Sequence, residues 1–275
     1  MSNNSSQNVR RDHYTHGYAP AVVRAHAART VENSLEYALD RLRPGLTVLD
    51  LGCGPGTITA GIARLVAPGR VIAADLDPGI LDQAADHVRA QGLTNVDCRV
   101  MDGYALGLPD DSVDFAHAHQ VLQHVSDPVA VLRELARVTR PGGTVAVRDS
   151  DYGAFAWYPP SPGLDQWRTL YCRAARANGG EPDAGRHLLA WAHAAGLADP
   201  LPGGSVKVYT GDQARWWADI WAERIRHSAV ATQLLDAGWA TPDDLQAISA
   251  AWRAWGDDPD AWFSLPNGQL IATVR

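Results

Sequence analysis

An apolar run, three glycines at alternate positions and a helix-forming stretch follow one another without a break in VLDLGCGPGTITAGIA, residues 48–63. Gly52, Gly54 and Gly56 remove side chains from the turn that leaves the strand and permit positive φ there. The helix opening at Thr57 turns free N–H groups and the positive end of its dipole towards the same space. A chain that strips its backbone at this place is built to let a ligand approach the main chain.

The rhythm that follows says what surrounds the turn. LTVLDLG, RVIAADLD, NVDCRVMDG, the first part of SVDFAHAHQVLQHV, and TVAVRDSD read as five short strands. TITAGIARLVA, PGILDQAADHVRAQG and PVAVLRELARVTR carry helical spacing between them and end at Pro-Gly or Gly signals. Strands alternating with helices predict a parallel sheet covered on both faces, with ligands bound beyond the carboxyl ends of the strands. The residues at those ends are Asp50–Gly56, Asp75–Asp77, Asp102–Tyr104, His117–His124 and Asp149–Asp151. Acids and histidines gather there, whereas the strands are apolar.

Residues 20–42 read as one helix, with Val23, Ala27, Val31, Leu35 and Leu39 at helical spacing. All ten tryptophans lie after residue 150, in a region of helices. A strand at SVKVYTG and a terminal strand broken by a Pro-Asn-Gly turn are predicted there too. The predicted architecture is α/β: a Rossmann-like, seven-stranded, mostly parallel sheet with helices on both faces. The expected divisions are an N-terminal helical lid over 1–45, a ligand-binding core over 46–150, and remaining strands with a helical, Trp-rich cap over 151–275. The polar opening MSNNSSQN is expected to fray.

Composition narrows the function classes. The formal net charge of −7 argues against gripping a nucleic-acid backbone. Lys207 is the only lysine. Cys53, Cys98 and Cys172 are far apart and odd in number, which predicts neither a disulfide framework nor a zinc site, and a cytoplasmic setting. No stretch reads as a signal peptide or membrane span. No nucleic-acid or membrane partner is expected, and the chain is expected to be a monomer or homodimer.

Two guests compete for the glycine turn. Asp75 follows Gly52 by 23 residues, which suits an acceptor for ribose hydroxyls. A nicotinamide dinucleotide asks for G-x-G-x-x-G; here the glycines run G-x-G-x-G, with Thr57 in the place of the third. Asp102, at the third strand's end, suits an adenine amino group. The pattern fits S-adenosylmethionine better than a dinucleotide.

VLDLGCGPGT, VIAADLD, CRVMDG, FAHAHQVLQHVSDP and RVTRPGGTVAV, in this order, resemble the successive motifs of class I S-adenosylmethionine-dependent methyltransferases, in particular the ubiquinone/menaquinone-biosynthesis-like small-molecule group. The likeness covers about residues 46–150. It implies a glycine loop (Gly52, Cys53, Gly54, Gly56) against the methionine portion, Asp75 on the ribose with Leu76 beneath the adenine, and Asp102 with Gly103 on the adenine amino group. It also implies that the backbone around His119 faces the methionine end. Asp50 is expected to order the loop, or to reach the ammonium through water. Two departures stand out: His119 occupies a place often held by asparagine or a small polar residue, and the NPPY/DPPY segment of amide-methylating branches is absent. HYTHGYAPAVVRAHAARTVENS resembles a lid helix, with Tyr14 and His16 over the cofactor and Arg29 nearby.

Methyl transfer to an acceptor that carries a proton profits from a positioned base. His119 and His124 are the candidate catalytic residues. His119 reads equally as a contact to cofactor or acceptor and as neither, and His124 reads as a cap of the following loop before it reads as a base. His117 is expected to pack against a nearby acceptor. Metal is not expected, since His117 and His119 with Asp114 or Asp149 form no recognised ligand set. Candidate acceptor contacts are Tyr18, Arg24, Asp149, Asp151, Tyr152, Trp157, Tyr158, Trp217 and Arg224, with Arg186 a further candidate. Each arginine reads first as a solvated or salt-bridged surface residue. Tryptophans at helical spacing are usually core, yet ten of them suit a wall for a flat acceptor. The expected substrate is a small aromatic or heteroaromatic metabolite, with an indole- or cyclodipeptide-type natural product of secondary metabolism as the narrower guess. The alternatives are a dinucleotide-dependent oxidoreductase and a binder of the same sulfonium compound that transfers no methyl group.

Overall fold

The computed structural model describes residues 14–275; the polar opening falls outside them. The helices α1 (Pro20–Ala27) and α2 (Val31–Ser34) precede β1 (Thr47–Leu51), α3 (Thr57–Val66), β2 (Arg70–Asp75), α4 (Pro78–Ala90), β3 (Val96–Val100), β4 (Val113–His119), α5 (Pro128–Val138) and β5 (Thr139–Ser150). The second half holds β6 (Ala156–Tyr158), α6 (Pro162–Ala177), α7 (Leu188–Ala195), β7 (Ala198–Thr210), α8 (Gly211–His227), α9 (Ala229–Asp236), α10 (Pro242–Gly256) and β8 (Trp262–Thr273).

The first five strands pair in parallel in the order β3-β2-β1-β4-β5. β8 joins antiparallel to β5, and β7 runs antiparallel along the whole of β8. The three-residue β6 pairs with the start of β8 and makes the sheet eight-stranded. Side chains alternate across each strand. Val48, Val71 and Phe115 meet Ile58 and Ile62 of α3 on one face; Leu49, Ile72 and Ala116 meet Leu132 and Leu135 of α5 on the other. Four helices share one starting device, a side-chain cap followed by proline. Asp77, Asp127, Ser161 and Thr241 each accept a backbone N–H of the first turn, and Pro78, Pro128, Pro162 and Pro242 follow them.

Two expectations are corrected. Residues 20–42 are not one helix. Thr30 and Asn33 form a reciprocal cap that restarts the chain as α2, and Glu36–Arg41 is a 3-10 turn. Helical spacing of apolar residues does not register a polar cap in the middle. The terminal strand is continuous through Pro266-Asn267-Gly268, because β5 and β7 both pair with that stretch. The glycine serves packing: a Cβ at Gly268 would lie 1.9 Å from the Gly185 carbonyl oxygen.

Eight of the ten tryptophans build a separate core, while Trp191 packs with the sheet and α5 and Trp262 is exposed. Trp167 of α6 meets Trp221 of α8 at 4.5 Å and Trp252 of α10 at 4.9 Å between ring centroids. Ala21 and Ala25 of α1 pack into the same cluster, which brings the N-terminal segment across the glycine turn.

Candidate active site

The glycine turn opens on a cavity of about 150 Å³. Its three glycines, all at positive φ, answer to different needs. A Cβ on Gly54 would meet nothing within 4 Å, so this glycine leaves bare backbone facing open space. A Cβ on Gly52 would strike Val121 Cγ2 at 2.4 Å, and one on Gly56 would press on Ala84 of α4 at 3.0 Å. The expectation that all three clear a path for the ligand is thus corrected: two of them clear a path for other parts of the chain.

Acids at the strand ends face the same cavity. Asp75 Oδ2 accepts from Gly54 N at 3.1 Å, and Oδ1 accepts from Leu76 N at 2.8 Å. Burial raises its pKa, opposed by those N–H groups. Leu76 is exposed on the cavity rim, and Asp102, Gly103 and Cys53 also line it. Asp50 reaches the wall with both oxygens engaged internally. Oδ2 accepts from Thr59 Oγ1 at 2.6 Å, and Oδ1 lies 2.7 Å from Nδ1 of the fully buried His117. Asp50 therefore ties β1, α3 and β4 together beneath the turn, and His117 does not reach the cavity.

Bare backbone at Gly54, the uncapped start of α3, and carboxylates from β2 and the end of β3 are the features that an adenosyl group with an amino-acid tail requires. The residues present fit S-adenosylmethionine on those grounds. Among the described residues no group of three or more His, Cys, Asp or Glu side chains is placed to hold a metal ion. No helix of those residues is long and apolar enough to cross a membrane.

Tyr14 and Tyr18 close over this first cavity. Tyr14 stands edge-on to His124 at 4.8 Å. Tyr18 Oη lies 3.4 Å from Asp75 Oδ1, and Tyr18 lines the first cavity but not the second. His119 sits at the end of β4. The next residue, Gln120, has φ +55°, a strained conformation for a side-chain-bearing residue of the kind found at functional sites. Gln120 Nε2 donates to Ser150 Oγ at 2.7 Å, and its oxygen accepts from Arg29.

A second, smaller cavity of about 60 Å³ adjoins the first, and His26, Arg29, His119 and Gln120 line both. Tyr152, Tyr209, Trp217, Arg224, Arg148 and Lys207 also line the second. The four histidines around the two cavities, His16, His26, His119 and His124, are all held to low pKa by burial first, reinforced by nearby arginines. For His124 the value falls to about 3. At neutral pH they carry no charge.

Several sequence candidates lie elsewhere. Arg24 is exposed and pairs with Glu223 of α8. Asp151 pairs with Arg186 and caps the turn at Ala154 N, 3.1 Å away. Trp157 stacks on Phe263 at 5.9 Å under the Arg168 guanidinium, and Tyr158 is exposed. Asp149 lies beneath the site, accepting from Gln123 N at 3.0 Å; burial lifts its pKa to about 8. Of the ten tryptophans Trp217 alone lines either of these two cavities; stacking among themselves absorbs most of the others.

His26, Gln120, Arg148, Lys207 and Tyr209 were not anticipated at the site. The alternation in SVKVYT held a usable signal, since Ser205, Lys207 and Tyr209 share one face of β7. Nothing local marked Arg148, which directly follows the apolar run Val145–Val147 in β5.

The comparisons with known proteins agree with this geometry. A family model described as "Methyltransferase domain" matches residues 49–147. An uncharacterised methyltransferase of Schizosaccharomyces pombe is 33% identical, over 94% of this chain and 95% of its own. The ubiquinone/menaquinone biosynthesis C-methyltransferase UbiE of Vibrio vulnificus is 38% identical over 38% of this chain and 41% of its own. Among solved structures, the YcgJ protein of Bacillus subtilis superposes with a TM-score of 0.58 at 19% identity, covering 91% of this chain and 99% of that one; at that identity the likeness concerns the fold.

Proposed function

The chain belongs to the class I S-adenosylmethionine-dependent methyltransferases, and from that premise we propose that its acceptor is a small aromatic molecule received where the two cavities meet. The observation that carries this reading is the junction itself: His26, Arg29, His119 and Gln120 line both spaces. The flat rings of Tyr152, Tyr209 and Trp217 around the second cavity support an aromatic acceptor. Because that cavity is small, a ring enters only as neighbouring side chains give way.

When bound, S-adenosylmethionine supplies an electrophilic methyl group on a sulfonium. The chain's part is alignment and exclusion of water. Gly54 and the start of α3 receive the amino-acid tail, Asp75 the ribose and Asp102 the adenine. Tyr14 and Tyr18 cover the first cavity. His119, neutral and with its Nδ1 buried without a partner, takes a proton from the acceptor's O–H or N–H. His124, against Tyr14, holds the lid side of the cavity and is the second candidate base.

Incubation with methyl-labelled S-adenosylmethionine and a panel of phenols, indoles and aromatic acids tests the reading. Label is expected in an aromatic product, with turnover reduced at least about tenfold in His119→Ala. Label appearing only in aliphatic acceptors would reject the aromatic reading. Cofactor binding without transfer to any panel member would point to a binder rather than a catalyst.

A further inference from the structure

The second cavity is lined by Arg29, Arg148, Lys207 and Arg224 and by no aspartate or glutamate. Four cations around about 60 Å³ are unexpected in a chain of net charge −7. Only one of them has a carboxylate partner among the described residues: Arg148 meets Glu36 at 3.1 Å and donates to Asn33 O at 2.8 Å. Arg29 donates to the Gln120 amide oxygen. Arg224 donates to His16 Nδ1 and lies over the Trp221 ring, 4.1 Å from its centroid. The Lys207 ammonium lies 5.0 Å from the centroid of the Tyr209 ring.

Arg148 and Arg224 are each 4% exposed, and each has a buried Nε–H without a hydrogen-bond partner. Unpaired buried donors and cations that repel one another are costly. Burial, reinforced by neighbouring positive charge, lowers the pKa of Lys207, and burial outweighs the opposing tyrosines to bring Arg29 down to about 10. A negatively charged guest would offset all of these costs at once.

We propose that this cavity is an anion subsite that receives a carboxylate of the acceptor molecule, held by Lys207, Arg224 and Arg29. Arg148 supplies positive potential while remaining tied to Glu36. The assignment of that anion to a methyl acceptor rests on the function proposed above; the charge selectivity of the cavity does not. The carboxylate is bound deep, under Tyr152 and Trp217, and the rest of the molecule extends past Gln120 towards His119 and the methyl donor.

The single lysine makes the test direct. Protein grown on 13C-lysine carries one lysine spin system, and it reports from inside the cavity. Benzoate, indole-3-carboxylate and phenylacetate are titrated beside their amides and beside phenyl phosphate, with S-adenosylhomocysteine present. At least one carboxylate is expected to shift the Lys207 Cε–Hε signal saturably and to raise its pKa, with its amide at least about tenfold weaker. Arg224→Gln and, by calorimetry, Lys207→Met are each expected to weaken that carboxylate at least about tenfold. Affinity for S-adenosylhomocysteine should stay within about twofold, since neither residue lines the first cavity.

Amides that bind as tightly as acids, or no acid moving the signal, overturn the proposal. Phenyl phosphate preferred over every carboxylate overturns the assigned class. Failure to bind S-adenosylhomocysteine counts against the cofactor reading alone, because the lysine signal still reports on the anion.

Discussion

Tyr18 Oη lies 3.4 Å from Asp75 Oδ1, so a residue ahead of α1 engages the carboxylate proposed above to receive the ribose. The contact is long and competes with a ribose hydroxyl for the same oxygen. Tyr18→Phe is expected to tighten S-adenosylhomocysteine roughly threefold in calorimetry, the value of a weak hydrogen bond. A tenfold loss would show that the hydroxyl serves the ligand instead.

Gly54 and Gly56 separate approach from packing. Both are in the left-handed region, where a Cβ costs about 1–2 kcal/mol. Gly54→Ala is expected to lose only that much stability in urea melts while weakening S-adenosylhomocysteine at least about tenfold, since its Cβ enters open cavity. Gly56→Ala is expected to lose more stability, because its Cβ also presses on Ala84 at 3.0 Å.

The Asp50–His117 contact of 2.7 Å is buried at the centre of the sheet. His117→Leu stays close to the imidazole in volume but removes a donor from a buried carboxylate. The expected loss is about 2–3 kcal/mol, read from the urea midpoint, with cofactor affinity falling as the turn loosens. A variant as stable as the parent would mean that Asp50 finds another donor.

Asp149 is neutral in the folded protein up to about pH 8, because burial raises its pKa from 3.8. The unfolded chain ionises it above that lower value, so the folded state binds the extra proton across the interval. Its effect is to make stability fall as pH rises from about 4 to about 8. Asp149→Asn is expected to abolish that slope and to be several kcal/mol more stable than the parent at pH 8 in parallel melts.

His124 acts in the opposite sense. Its folded pKa is depressed to about 3 by burial, then by Arg29 and Arg224. The unfolded chain takes up the proton first, so stability is lost as pH falls from about 6.5 towards 3. His124→Gln should make that limb shallower by one proton, since His16, His26 and His119 are depressed in the same way. NMR of the imidazole signals should show His124 uncharged at pH 5; titration near 6.5 would refute the burial argument.

The strand-end edge proposed to hold the cofactor was legible because it is local. Asp50, the glycine turn, Asp75 and Asp102 each stand at the end of an apolar run, and a parallel sheet brings the ends of successive strands to one edge. The same reading missed the break at Thr30 and the continuity of β8. Polar caps and two-sided pairing leave little trace in the spacing of apolar residues.

The sequence by itself determined the sheet, the glycine turn and the family, since turn chemistry and hydrophobic period act between neighbours along the chain. Only the tertiary structure decided what Arg29, Arg148, Lys207 and Arg224 do together. They come from four segments, before β1, in β5, in β7 and in α8, and converge because α1 packs on α8 while β7 and β8 extend the sheet beneath them. It also decided that most tryptophans are core, since each ring's fate depends on which distant rings it meets.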